Sequence, residues 1–310
     1  MRRILFVKTS SLGDVVHHCP AVSDAARRLP QAQIDWVVEE PFAGVAAMHR
    51  AVRRVIPVAM RRWRRALWSP AVWAEVANFR KAVSLERYDA IVDSQGLLKS
   101  ALLCALAPGT RHGMDRASAR EPLAARFYDV VHAVPKGLHA VERNRRLTAA
   151  ALGYALDPAV DYGLRPGASA RSDSLPPYVV FLTMTSRADK LWPSERWIEL
   201  GRSLATRVVL PWGSEVEKDR AEAIAAAMGN ATVPSRMMLG ELAALLSQAK
   251  SVIGLDTGLT HLAAALGCRT VGIFCGSDPA LTGLHGSARA LNVGAPGRAP
   301  SVAEVSGALV

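Results

Sequence analysis

The feature that most constrains this chain is an alternation set at its start: a short apolar run, a polar loop, then apolar residues at helical spacing. Ile4-Leu5-Phe6-Val7 leads into Lys8-Thr9-Ser10-Ser11-Leu12-Gly13, after which Val15, Val16, Cys19, Val22, Ala26 and Leu29 recur three or four residues apart. The first pattern reads as a buried strand and the second as an amphipathic helix. Pro30 closes the helical pattern and Ile34 to Val38 begins a second strand, so the first 40 residues read as one β-α-β unit. Such a unit joins strands that run the same way, and parallel sheets need helices on both faces.

The alternation continues with strands at Val55 to Val58 and Ala90 to Val92 and helical patterns near 71–86, 97–107 and 139–152. The stretch DPAVDYGLRPGASARSDSLPP at 157–177 is too rich in Pro, Gly, Ser and Asp for a core element. The predicted organisation is therefore a domain over 1–160, a linker over 161–177 and a second domain over 178–310. The pattern restarts with strands at Tyr178 to Leu182, Arg207 to Leu210, Ser251 to Leu255 and Thr270 to Phe274. Helices are expected from Ser194, from Glu215, over Leu239 to Lys250 and over 259–266. A length of 310 residues fits two domains of this kind. Open parallel sheets bind ligands at the carboxyl ends of their strands, which makes the cleft between the domains the expected active site.

With 50% hydrophobic and 21% charged residues, the chain is neither disordered nor fibrous. Cys19, Cys104, Cys268 and Cys275 lack metal-binding spacing and read as small buried residues, with no zinc site and no disulfide. No apolar run is long enough to span a bilayer, and Ile4 to Val7 is too short for a signal-peptide core, so the expected location is the cytoplasm. Residues 1–165 hold 25 Lys and Arg against 15 Asp and Glu, while 166–310 hold 13 against 12. The basic first half points to an anionic partner: nucleic acid, a phosphorylated substrate or an acidic membrane surface.

Four constellations could carry chemistry. The loop at 8–14 is neither a dinucleotide fingerprint nor a P-loop, because Gly13 is its only glycine. Its Asp14 sits where a helix cap belongs and reads either as an N-cap carboxylate or as a general base. Asp256-Thr257-Gly258, with His261 three residues on, joins a strand to a helix start, a ready anion site. Thr185, Ser186 and Lys190 follow the first strand of the second half, and Glu217 follows the next, where an acidic residue can accept from a ribose. Arg61-Arg62-Trp63-Arg64-Arg65 is an exposed helix face or an anion clamp. The chain has neither an Asp-x-Asp nor an H-E-x-x-H motif, so a metal-dependent reaction lacks its usual ligands.

These segments resemble glycosyltransferase family 9, the heptosyltransferases of the lipopolysaccharide core. The likeness runs through KTSSLGDVVH at 8–17, DWVVEE at 35–40, VIPVAMRRWR at 55–64 and HGMDRASAREPLA at 112–124. It continues with HAVER at 139–143, DKLWP at 189–193, LPWG at 210–213 and DTGLTHLAAAL at 256–266. The RRWR and AREPLA segments resemble the branch that adds the first heptose. The resemblance implies an α/β fold of the GT-B type, two Rossmann-like doubly wound parallel-sheet domains facing a central cleft. It implies transfer of L-glycero-D-manno-heptose from ADP-heptose to the Kdo residue of the lipid A inner core, with inversion; no metal cofactor is expected, since protein cations and helix N-termini can stabilise the departing diphosphate. The alternatives are a family member with another inner-core acceptor, a non-catalytic sugar-nucleotide binder, or a nucleic-acid-binding protein; 6% aromatic residues and no nucleic-acid motif argue against the last.

By that resemblance Asp14 is the base, and Ser10, Ser11 and Gly13 line the acceptor side. Lys190, Thr185, Ser186 and the Thr257 and Gly258 amides hold the diphosphate, with Asp256 and His261 organising the loop and the heptose. Glu217 takes the ribose and Met237 lines the adenine pocket. Arg61, Arg62, Arg64, Arg65 and Arg120 receive the acceptor's carboxylates and phosphates, and the basic half favours the anionic inner face of the inner membrane. The segment Ser301 to Leu309 is short for the C-terminal helix that in such folds packs back onto the first domain.

Overall fold

The computed structural model describes residues 1–165 and 176–309, which divide into two compact units at Leu164/Arg165. In the first unit the strands are β1 (Arg3–Val7), β2 (Gln33–Glu39), β3 (Val52–Val58), β4 (Tyr88–Asp93), β5 (Gly109–Met114) and β6 (Val130–His132). Its helices are α1 (Leu12–Arg28), α2 (Ala43–Met48), α3 (Met60–Trp63), α4 (Pro70–Ser84), α5 (Leu98–Cys104) and α6 (Ala140–Leu152). The second unit has β7 (Tyr178–Leu182), β8 (Arg207–Val209), β9 (Ala231–Thr232), β10 (Ser251–Leu255), β11 (Thr270–Phe274) and β12 (Ala290–Gly294). Its helices are α7 (Ser194–Ser203), α8 (Glu215–Met228), α9 (Leu239–Gln248), α10 (Gly258–Ala265), α11 (Pro279–Thr282) and α12 (Val302–Gly307).

Among the described residues each unit builds one six-stranded parallel sheet, ordered β3-β2-β1-β4-β5-β6 and β9-β8-β7-β10-β11-β12. Both orders are the Rossmann order 3-2-1-4-5-6. The connections leave in opposite directions from the first and fourth strands of each sheet, opening a crevice beyond their carboxyl ends. That crevice lies at β1/β4 in one unit and β7/β10 in the other.

The central strands are apolar because helices cover both faces: Ile4 to Val7 and the whole of Tyr178–Leu182 are buried. Leu5, Val7, Val37, Ile56, Phe79 and Val83 form the core between β1, β2, β3 and α4. Phe181, Trp192, Trp197, Ile253 and Ile273 do the same in the second unit, where the two indoles meet edge to face at 5.0 Å. Each such side chain contributes about 1.5–3 kcal/mol on burial.

Several elements differ from their sequence reading. β6 and β12 are edge strands with exposed Val130, Val131 and Leu291, so neither shows a buried apolar run. β5 reads Gly-Thr-Arg-His-Gly-Met and carries no apolar signal either. α1 begins at Leu12, one turn before its first core residue. Asp161 to Leu164, read as linker, pack on the first unit: Arg50 N donates to Gly163 O at 3.0 Å and Leu164 bridges His49. Residues 166–175 of that linker lie outside the described residues. α12 lies against α7 of its own unit through buried Val305. The four cysteines are buried thiols. No described helix is long and apolar enough to cross a membrane.

Candidate active site

β1 ends at the switch point, and the loop that follows is held from both neighbouring strands. Trp36 Nε1 on β2 donates to Lys8 O at 3.1 Å, and Glu39 N donates to Thr9 O at 3.1 Å. From the β4 side, Gln95 Oε1 accepts from Thr9 N at 3.2 Å and Ser10 N at 3.3 Å. Gln95 is itself placed by buried Asp93, which accepts from Gln95 N at 2.8 Å, Gly96 N at 3.2 Å and Tyr128 Oη at 2.8 Å. Burial pushes the Asp93 carboxyl up against those bonds.

The loop hands over to α1 with Ser11, not Asp14, as the N-cap. Asp14 is the third helical residue, and its Oδ2 accepts from Ser11 N at 3.0 Å. That placement corrects the cap position expected from the sequence. It spends one carboxylate oxygen on the helix start and turns the other toward the switch point. There Oδ1 meets Arg120 Nη2 at 2.7 Å and Lys8 Nζ at 4.0 Å. Burial would raise the Asp14 pKa, but Lys8, Arg120 and the Ser11 amide outweigh it and hold the group at about 2. Lys8 is 3% exposed and donates to Ser94 O at 3.0 Å; burial lowers its pKa to about 8 against the pull of Asp14.

A cavity of about 20 Å³, room for one water, opens between Lys8, Asp14, Gln95, Arg120 and Arg143. Arg120 was expected on the acceptor; here its guanidinium holds the proposed base. Ser10 is buried, and its Oγ accepts from Lys99 Nζ at 3.4 Å. Gly13 lies in the first turn of α1.

The second unit repeats the plan with a different wiring. Asp256 follows β10, and its side chain accepts from Lys190 Nζ at 2.6 Å, Ser277 Oγ at 2.5 Å and His261 Nε2 at 3.2 Å. An ionised carboxylate only accepts, so Nε2 carries the hydrogen. Burial opposes the charge, but these donors keep the Asp256 carboxyl well below the usual carboxylate range. Thr185 Oγ1 donates to Asp256 O at 3.1 Å. Gly276 makes this possible, because a Cβ there would sit 2.8 Å from Asp189 O and bar the turn that carries Lys190. Thr257 caps α10, leaving the Gly258 and Leu259 amides without helical partners.

Beside this cluster a cavity of about 190 Å³ is lined by Trp212, Glu217, Met237, Leu242, Thr257 and Leu259. Glu217 Oε2 accepts from Gly213 N at 2.7 Å, which leaves its other oxygen for a ligand. Ser186 is exposed and lies outside both the cavity lining and the Asp256 cluster.

The arginine run is split by its neighbours. Arg62 is clamped by Glu40 and Glu75, Arg61 lies 5.9 Å over the Phe42 ring, and Arg64 and Arg65 are exposed. Gln95, Arg143 and Ser277 escaped the sequence reading. Gln95 and Ser277 follow β4 and β11 at the carboxyl edge, and that position was the available signal.

The model of glycosyltransferase family 9 (heptosyltransferase) matches residues 41–306. The chain belongs to glycosyltransferase family 9. This family 9 enzyme is 48% identical to lipopolysaccharide heptosyltransferase 1 of Pseudomonas aeruginosa over 92% of its own length and 81% of that protein. Among solved structures it is similar to Escherichia coli heptosyltransferase WaaC with ADP, at TM-score 0.90 and 43% identity over 98% of this chain and 96% of that one. It is also similar to the same enzyme with ADP-2-deoxy-2-fluoro heptose, at TM-score 0.85 and 42% identity over 97% and 95% of the two chains. The family 9 enzyme therefore has a GT-B type fold and is a glycosyltransferase of lipopolysaccharide core synthesis.

Proposed function

We propose that the chain transfers L-glycero-D-manno-heptose from ADP-heptose to the Kdo residue of the lipid A inner core, inverting the anomeric carbon. The observation that carries this reading is the 48% identity, spanning both units, with a protein named lipopolysaccharide heptosyltransferase 1. The two wired carboxylates give it a mechanism. The acceptor hydroxyl loses its proton to Asp14 as its oxygen bonds the anomeric carbon, and the bond to the diphosphate breaks with its electron pair leaving on ADP. Arg120 is drawn from Asp14 by the acceptor's own carboxylate, which strengthens the base when the acceptor is in place. Ser10, Ser11 and Gly13 belong to the acceptor side, with Arg61, Arg64 and Arg65 toward its phosphates, whereas Arg62 is already paired with Glu40 and Glu75.

In the second unit Trp212 and Met237 take the adenine and Glu217 the ribose. Lys190, with two ammonium protons left beyond its bond to Asp256, takes the diphosphate together with Thr185 and the Thr257 and Gly258 amides, while Ser186 lies apart from them. Asp256 and His261 keep that lysine and loop in place beside the heptose. Cations and helix amides at the diphosphate do the work of a metal, so no metal cofactor is needed. A lipid-linked acceptor puts the enzyme in the cytoplasm against the anionic inner face of the inner membrane.

A coupled assay for ADP release tests the reading. Release from ADP-heptose should require Kdo-lipid A and continue in EDTA. Release indifferent to the acceptor, or abolished by EDTA and restored by magnesium, would contradict it.

A further inference from the structure

The corner between α3 and α4 exposes what a water-facing surface normally hides. Trp68 is 83% exposed, Trp73 58% and Leu67 54%. The corner is firmly built all the same. Trp73 Nε1 donates to Leu67 O at 2.7 Å, while Trp63 is buried, meets the Phe79 ring at 5.9 Å and donates to Glu75 at 2.7 Å. Around the indoles the charge is one-sided. Glu40 and Glu75 are both spent on Arg62, and among the described residues the guanidinium groups of Arg61, Arg64 and Arg65 form no salt bridge.

We propose that this corner is the docking surface for an anionic lipid bilayer, with Leu67, Trp68 and Trp73 at headgroup depth and Arg61, Arg64 and Arg65 on the headgroup phosphates. The proposal rests on the reading of a lipid-linked acceptor given above and names the surface that reading requires. Indoles suit the headgroup layer because an apolar body and a polar N–H need both media, and guanidinium groups bind phosphates by paired N–H donors. A second copy of the chain fits poorly, since a two-fold contact would set this cationic patch against itself. The corner is also joined to the reactive loop at the same edge of the sheet. Arg61 N donates to Glu39 Oε1 at 2.9 Å, and Glu39 N donates to Thr9 O at 3.1 Å. A sugar standing on the membrane is thereby offered to the side of the unit that carries Asp14.

Sedimentation of the full chain with phosphatidylcholine vesicles, with and without phosphatidylglycerol, tests the proposal. The chain should pellet with the anionic vesicles and stay in solution with the neutral ones. Arg64→Gln with Arg65→Gln should weaken vesicle binding by roughly five-fold per arginine. Leu67→Ser with Trp68→Ser should weaken it by about ten-fold with an unchanged melting temperature. The same apolar variant should keep wild-type turnover on a lipid-free Kdo acceptor and lose rate on acceptor embedded in anionic vesicles.

Undiminished vesicle binding in both variants would overturn the proposal. So would a wild-type dimer that Trp68→Ser dissolves, or equal losses of rate on free and embedded acceptor. Vesicle binding is read without catalysis, so a chain that docks but releases no ADP would refute the transferase reading and leave the docking surface standing.

Discussion

Asp14 and Asp256 both lie at the switch point of their sheets, Asp14 in the first turn of the helix after the first strand and Asp256 directly after the fourth, and each lies beside a lysine. They differ in how their oxygens are used. Asp256 is engaged by Lys190, Ser277 and His261, all side-chain donors from its own unit, so it is a fixed anchor with little capacity to take up a proton. Asp14 Oδ2 accepts from the Ser11 amide, and Arg120, whose side chain is 46% exposed, spans both carboxylate oxygens at 2.7 and 3.4 Å. A half-exposed arginine can exchange one carboxylate for another at small cost, whereas the buried His261 cannot. The comparison teaches that a carboxylate at a switch point is suited to take up a proton or to anchor a loop according to whether its partners can leave.

Breaking the first carboxylate should have the largest effect. Asp14→Asn can still accept from Ser11 N but cannot take a proton, so kcat should fall about 10²–10⁴-fold with ADP affinity unchanged. Steady-state kinetics beside ADP calorimetry checks this, and a near-normal kcat would return Asp14 to a capping role. Asp256→Asn should do the reverse, weakening ADP binding by ~1–3 kcal/mol because Lys190 loses its counter-charge. Loss of kcat with intact ADP affinity would erase the distinction between the two groups. Ser277→Ala removes one of three donors to Asp256 and should cost ~0.5–1.5 kcal/mol in the same calorimetry.

The smallest expected effect is on stability against pH. Lys8 titrates at about 8 in the fold against an ordinary 10.5, so above about pH 8 the unfolded chain binds the extra proton. Stability from this group then rises with pH between those values, and the burial penalty is fully present below them. Lys8→Met should flatten that rise in a series of denaturant melts. An identical slope in the variant would mean that Lys8 does not titrate in that window.

Much of this was legible in the sequence. Apolar runs mark the central strands because those strands are buried on both faces, and the segments after them carry Asp14, in the first turn of α1, and Lys190 and Asp256. The partners were less legible. Arg120 comes to Asp14 from 106 residues away and Gln95 to the Thr9 amide from 86, and no local pattern encodes such pairings. The arginine run looked uniform, yet Glu40 and Glu75 spend only Arg62. Asp14 itself was misplaced by one helical turn, because both ends of a capping box suit Ser and Asp.

The account turns on Arg120 restraining Asp14, and titration of the Asp14 carboxyl by carbon-13 NMR tests that most directly. In the wild-type chain without acceptor the group should titrate near 2, held down by Lys8 and Arg120 against burial. In Arg120→Gln, or with a saturating lipid-free Kdo acceptor, its pKa should move upward while that of Asp256 stays where it was. An Asp14 pKa that is the same in all three samples would contradict the account.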